Sequence, residues 1–192
     1  MQNYLSHPTL DDYVINPMGM AVVDGNGKAQ TYNSDNKAAH TREAYSTKRI
    51  VNDYLSSKEG HAFVNYIYSR GKELIEIKGT GAGDLGQGVV AAILHNGLEG
   101  VILSNYEGKT FTYHVADFAR QYHLDQDSAM EYVLAHEFSH AAGNYSEREA
   151  EGMIKEFFLE QAGKSEGSEK ARYQKLAEVA GEREQQAKYQ EN

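Results

Sequence analysis

The sequence predicts an α+β domain in which helices back a small mixed or antiparallel sheet. Residues 46–70 repeat apolar positions at helical spacing, with one break near Gly60. Residues 72–78 and 100–115 alternate apolar and polar side chains, as strands do. Residues 128–163 then carry two serine-capped helical patterns in succession. Because strands and helices occupy separate stretches of chain, the pattern favours an α+β fold over a doubly wound one.

Composition limits the classes of partner. The 192 residues suit one folded unit, since 40% are hydrophobic and 24% are charged. A net charge of -9 argues against nucleic acid or an anionic membrane as partner. Without cysteine, a metal ion must be held by His, Asp or Glu. No Sec-type signal or span-length apolar window is present, so we expect a cytoplasmic protein, with signal-independent secretion left open.

Two capping boxes define the helices between residues 128 and 163. Ser128 begins the sequence SAME and predicts a helix that ends at Gly143, a residue suited to a left-handed C-terminal position. Ser146 and Glu149 form a second box, and the helix that follows it places Ala150, Met153, Ile154, Phe157 and Phe158 on one face. The two helices are therefore expected to follow each other closely.

The first of these helices carries the motif HEFSH in its last two turns. Residues four apart lie on the same face of a helix, so His136 and His140 can direct two imidazoles at one ion. Glu137, one position further round, can reach a water molecule bound to that ion. This composition gives a chance HExxH match with a probability of about 3%, so the motif is a strong indication of a metal site.

A catalytic zinc ion needs a third protein ligand, and the next helix offers Glu147, Glu149 and Glu151. Glu147 lies about 60° from the centre of that helix's apolar face, whereas the other two lie about 100° away. Glu149 also serves as the capping-box acid. We predict Glu147 as the ligand, with Glu151 as a partner for a ligand histidine or as the alternative ligand.

HExxH followed closely by a helix bearing EREAE resembles the gluzincin side of the zincin metallopeptidases. It is most similar to the single-domain minigluzincins, with some similarity to the ImmA/IrrE-type peptidases. The resemblance covers residues 128–160 and implies a zincin-like fold, a Zn²⁺ cofactor and a peptide or protein substrate. It also implies that His136, His140 and Glu147 are ligands and that Glu137 is the general base. The metzincin motif HExxHxxGxxH is not met, since Ser146 stands where its third histidine belongs.

The sequence pattern also predicts a division of the chain, and the predicted ligand set implies a mechanism. Residues 1–46 would be an N-terminal extension with a hairpin, residues 47–163 the zincin-like catalytic domain, and residues 164–192 a solvated C-terminal helix. Zinc would activate a water molecule, and Glu137 would take its proton and deliver it to the leaving amine. The strand predicted at 109–115 would present its edge to the peptide. The residue that stabilises the oxyanion stays open among four candidates: Tyr145, Arg148, His123 and His114.

Other interpretations of the same residues stay open. The two histidines could belong to an acidic amphipathic helix without metal, or to a catalytically silent zincin-like binding module. The glycine loop at 79–88 contains GxGxxG at Gly81, Gly83 and Gly86, ahead of a segment that fits either a helix or a strand. A nucleotide-binding protein is therefore a third interpretation. Residues 164–192 could also block the cleft as an inhibitory segment.

Overall fold

A computed structural model describes residues 50–51, 53–72, 78–83, 89–94, 100–104 and 109–190. The predicted N-terminal extension with its hairpin, most of the predicted strand at 72–78, Gly86 and the predicted turn at 107–108 lie outside the described residues.

Six helices and three strands make up the described part of the chain. In chain order they are α1 (residues 50–51 and 53–56), α2 (Lys58–Ser69), β1 (Lys78–Gly83), β2 (Ala91–Leu94), β3 (Gly100–Ser104), α3 (Phe111–Tyr122), α4 (Gln126–Ala141), α5 (Glu147–Lys164) and α6 (Gly167–Gln190).

The predicted α+β, zincin-like fold is wrong, because the described residues are mostly helical. The strands have four to six residues, whereas helices α2 to α6 have 12 to 24. Residues 111–115, which we predicted as a strand, form the first turn of α3. Phe111 and Val115 alternate as in a strand, but the buried set continues to Phe118, Ala119 and Tyr122, which is helical spacing.

The described strands pair in the order β1-β3-β2, with β1 parallel and β2 antiparallel to β3. Strand β2 therefore lies at an edge of this small sheet. It also contacts α4, the helix that carries HEFSH. This contact places a strand edge beside the histidines.

The predicted helix break near Gly60 occurs earlier, at Ser57. The Ser57 side chain accepts a hydrogen bond from the backbone N–H of Gly60 at 3.0 Å and caps α2. Gly60 is needed for another reason, since a Cβ there would lie 1.9 Å from the carbonyl oxygen of Tyr54.

We expect Gly60→Ala to lower the free energy of unfolding by about 1–3 kcal/mol, because the backbone of α1 must move to admit the methyl group. Gly163→Ala is the matched control, since a Cβ at Gly163 meets no atom within 4 Å. It should raise stability by about 0.5–1 kcal/mol. Denaturant titration measures both changes. Equal stability of wild type and Gly60→Ala would contradict the close contact.

Helix α4 starts at Gln126, within the predicted start at Ser128 or slightly earlier, but its cap is not the predicted serine. Asp125 is its N-cap and accepts from the Ser128 backbone N–H at 2.8 Å. At the other end, Gly143 has the predicted left-handed conformation, with φ of 89°. Its N–H donates to the His140 carbonyl at 2.9 Å, and the Asn144 N–H donates to the Ser139 carbonyl at 3.3 Å, which together form a Schellman motif.

The predicted capping box of α5 is confirmed, since Ser146 and Glu149 each bond to the other's backbone N–H. Only residues 165–166 separate α5 from α6. Helix α6 packs along α5, and Phe158 lies 6.3 Å from Tyr173 between ring centroids. The predicted apolar stripe of α6 is buried: Tyr173, Leu176, Ala177 and Ala180, with Val179 beside them.

None of the described helices is both long enough and apolar enough to cross a lipid bilayer.

One carboxyl group on α4 is buried away from the motif. Glu131 is 4% exposed and pairs with Arg172 of α6 through one oxygen, while its other oxygen has no hydrogen-bond partner among the described residues. Burial raises the pKa of Glu131 to about 7, although Arg172 opposes the shift. The folded protein therefore binds a proton more tightly than the unfolded chain, and this group's contribution to stability falls as pH rises from about 4.5 to 7.

We accordingly expect Glu131→Gln to match the wild type in stability near pH 4 and to exceed it near pH 8, by up to about 3 kcal/mol. Glutamine resembles the protonated carboxyl and carries no charge to bury. Urea titrations of both proteins across this pH range measure the difference, with the exposed Glu178→Gln as control. A difference that does not change with pH would contradict the shift.

Candidate metal centre

The three predicted ligand side chains come together between α4 and α5. The Nε2 atoms of His136 and His140 are 3.1 Å apart. The Glu147 carboxylate lies 3.2 Å from His136 Nε2 and 3.5 Å from His140 Nε2. Among the described residues, this is the one group of three or more such side chains close enough to share a metal ion.

These separations are those expected around a small tetrahedral ion. Ligand atoms placed 2.0–2.1 Å from zinc at tetrahedral angles are about 3.3 Å apart. The separation of the two Nε2 atoms is 3.1 Å, and the nearest carboxylate oxygen lies 3.2 Å from His136 (Oε2) and 3.5 Å from His140 (Oε1). The two imidazoles and the carboxylate are therefore close enough together to share one such ion.

Hydrogen bonding sets the proton position on each imidazole. His140 Nδ1 lies 2.7 Å from the backbone oxygen of Asn144, which can only accept, so Nδ1 carries the proton. His136 Nδ1 lies 3.2 Å from a Glu151 oxygen, although without the alignment of a full hydrogen bond. That carboxylate favours a proton on Nδ1 here as well. Both Nε2 lone pairs are thereby turned toward Glu147.

Such an arrangement of electron-pair donors is repulsive unless a cation is shared among them. Burial lowers the pKa of His136, but the adjacent Glu147 and Glu151 carboxylates outweigh this and raise the pKa to about 10. Hydrogen bonding to the two histidines holds the pKa of Glu147 far below its usual range. The carboxylates beside His136 thus favour a positive charge at this centre.

Glu151 contacts Nδ1 of His136, the ring nitrogen that does not face the other two ligands. It is 1% exposed, and it accepts hydrogen bonds from the Tyr132 hydroxyl and from Nε of Arg183 on α6. Burial raises the pKa of Glu151, but His136 and Arg183 outweigh this and the pKa is lowered. With its oxygens engaged in this way, Glu151 fits the predicted role of histidine partner better than that of alternative ligand.

Sequence reasoning missed Tyr132 and Arg183. Tyr132 lies four residues before His136, on the same face of α4, so the spacing could have revealed it. Arg183 continues the stripe of Leu176 and Ala180 by one turn, at i+7 and i+3. A buried Glu151 also requires a cation nearby, and α6 was the element predicted to be solvated.

The predicted general base faces an open cleft. Glu137 is 5% exposed, and burial raises its pKa. It lines a cavity of about 430 Å³ together with His136, His140 and Glu147. Residues 89–92, which lead into β2, line the same cavity. Glu137 and the three predicted ligands therefore border one cavity.

Of the four oxyanion candidates, only Tyr145 lines this cleft. Arg148 and His123 line other cavities, and His114 lies on α3. The strand predicted to bind the peptide, at 109–115, is helical, and β2 occupies the place beside the cleft instead. Glu149 caps α5, as predicted.

The glycine pattern does not form a dinucleotide-binding turn in the described residues. Gly81 and Gly83 lie within β1, and residues 91–94 form strand β2. A phosphate-binding loop of this type would lead from a strand into a helix N-terminus. The described part of residues 78–94 contains two strands and no helix.

Comparison of the chain with protein-family models, with curated proteins and with solved structures gave no match.

Proposed function

We propose that this protein is a zinc-dependent metallopeptidase whose ligand set resembles that of the gluzincins, including the minigluzincins. The observation that supports this most is the convergence of His136 Nε2, His140 Nε2 and the Glu147 carboxylate, whose Oε2 lies 3.2 Å from the first nitrogen and whose Oε1 lies 3.5 Å from the second. Two nitrogens and one carboxylate oxygen are a ligand set of catalytic zinc sites, which keep the fourth position open. The adjoining cleft leaves that position accessible.

A bound zinc ion would polarise the scissile carbonyl and lower the pKa of a water molecule toward 7. The protein's own contribution begins with Glu137, whose carboxylate is a stronger base than an exposed one because burial raises its pKa. Glu137 can then pass that proton to the leaving amine. Tyr145, which is 73% exposed at the edge of the cleft, supplies a hydroxyl donor for the developing oxyanion.

An extended peptide is the substrate that this cleft suits best. Strand β2 lies at an edge of the described sheet and lines the cleft, so its outer edge can pair with a peptide strand. Val90, Phe118 and Val133 give the cavity apolar surface that can pack against a side chain of the peptide. Glu137 favours an enzyme over a silent binding module, because a metal-binding scaffold needs no buried carboxylate at this place.

The test is cleavage of an unfolded protein and of a mixed peptide library by the zinc-loaded full-length protein, followed by mass spectrometry. We expect cleavage that a chelator abolishes and that stoichiometric zinc restores. Zinc-loaded protein that cleaves no peptide in the library would overturn the peptidase proposal. Cleavage that persists in chelator would overturn the metal mechanism.

A further inference from the structure

The turn between α4 and α5 contains a buried amide that neither capping nor the ligand set requires. Asn144 is 7% exposed, and its Nδ2 donates to the Ser139 carbonyl at 3.2 Å, to Ser139 Oγ at 2.8 Å and to Met153 Sδ at 2.8 Å. Its Oδ1 accepts a hydrogen bond from Lys72 Nζ, 72 positions earlier in the chain. Four contacts thus converge on one side chain.

Closure of the α4 C-terminus does not account for these contacts. The Schellman motif is complete with the backbone N–H groups of Gly143 and Asn144 alone. Burial of an amide side chain is unfavourable unless its polar atoms are satisfied. Here the hydrogen-bond partners are Ser139 on α4, Met153 on α5 and Lys72 shortly after α2. These three contacts fix the position of residue 144.

Residue 144 also supplies the backbone oxygen that accepts from His140 Nδ1 at 2.7 Å. The position of this oxygen determines which ring nitrogen carries the proton and how the imidazole is turned. Any rotation of the 144 peptide unit would remove the acceptor and release the ring.

We propose that Asn144 is a positioning residue for His140: its side chain, held by Ser139, Met153 and Lys72, locks the backbone carbonyl that keeps the His140 proton on Nδ1 and Nε2 free for the metal. This inference rests on the proposed metal centre, but the tautomer of His140 can be measured without metal. Lys72 acts through Asn144 and touches neither histidine in the described structure.

The experiment compares wild type, Asn144→Ala and Lys72→Met, with Arg148→Ala, at an exposed position in the first turn of α5, as a control. Two quantities are measured: zinc affinity by competition with a chromogenic chelator, and the ¹⁵N chemical shifts of the imidazoles in metal-free protein. For Asn144→Ala we expect zinc affinity to fall about 10–100-fold and His140 to become a mixture of tautomers. The shifts of His136 should stay unchanged, and Lys72→Met should give a smaller change of the same kind.

If Asn144 had only a structural role, Asn144→Ala would lower the melting temperature but leave the His140 nitrogen shifts of the folded protein as in wild type. That result in Asn144→Ala, with zinc affinity within threefold of wild type, would overturn the proposal. If Asn144→Ala does not fold, unchanged His140 shifts and affinity in Lys72→Met would overturn it equally. If the wild type binds no zinc, the proposed function fails, while the His140 shifts still decide this inference.

Discussion

Glu137→Gln is expected to reduce peptide cleavage by about two to four orders of magnitude, the contribution usual for a general base. Glutamine has almost the same shape as glutamate, but its amide cannot accept and return a proton. Glu137 is not one of the three converging ligands, so zinc content should stay at the wild-type level. The kcat measured on a cleaved peptide, together with metal analysis of the same sample, checks both expectations.

Glu131→Gln is the matched control, since Glu131 is a second buried carboxyl on α4 that does not line the cleft. It should leave kcat within about twofold of wild type, because it contacts none of the reacting groups. A Glu137→Gln protein with nearly full kcat would show that proton transfer uses another residue. Loss of zinc in that variant would show that Glu137 acts on the metal itself.

Removal of residues 165–192 is expected to leave little folded protein. Leu176 and Val179 are fully buried on α6, and each contributes about 1.5–3 kcal/mol. The truncation also removes Arg183, which leaves the buried Glu151 carboxylate without its cation at a cost of about 3–5 kcal/mol. These losses together are comparable to the whole stability of a typical domain, about 5–15 kcal/mol.

Circular dichroism and thermal melting of the truncated protein measure this loss. A shorter deletion of residues 188–192 is the control, because it keeps Arg183 and every buried residue of α6. That protein should melt close to wild type. If the long truncation instead gave a folded protein with increased cleavage, α6 would be the inhibitory segment that the sequence also allowed, and the supporting role of Arg183 would be wrong.

Local patterns account for the features that the sequence predicted well. The capping box of α5, the left-handed Gly143 and the shared face of His136 and His140 each depend on residues no more than four apart. The approach of Glu147 follows from the same logic, since the turn after α4 is short and the apolar face of α5 fixes its rotation.

Tertiary contacts account for the features that the sequence missed. Phe111 and Val115 fit a strand or a helix equally well in a seven-residue window, and packing of Phe118 and Tyr122 on the core decides for a helix. Arg183 lies 32 residues after Glu151, and only the packing of α6 on α5 brings the two side chains together. The place of β2 beside the cleft depends on sheet pairing that no local pattern shows.

The central claim is that His136, His140 and Glu147 together bind one divalent cation, and metal content tests it most directly. The full-length protein is purified, reconstituted with zinc and desalted, and zinc per chain is measured for wild type, His136→Ala, Glu147→Gln and the capping variant Glu149→Gln. We predict about one zinc per chain in wild type and Glu149→Gln and almost none in the other two. No zinc in wild type, or full retention in Glu147→Gln, would contradict the account.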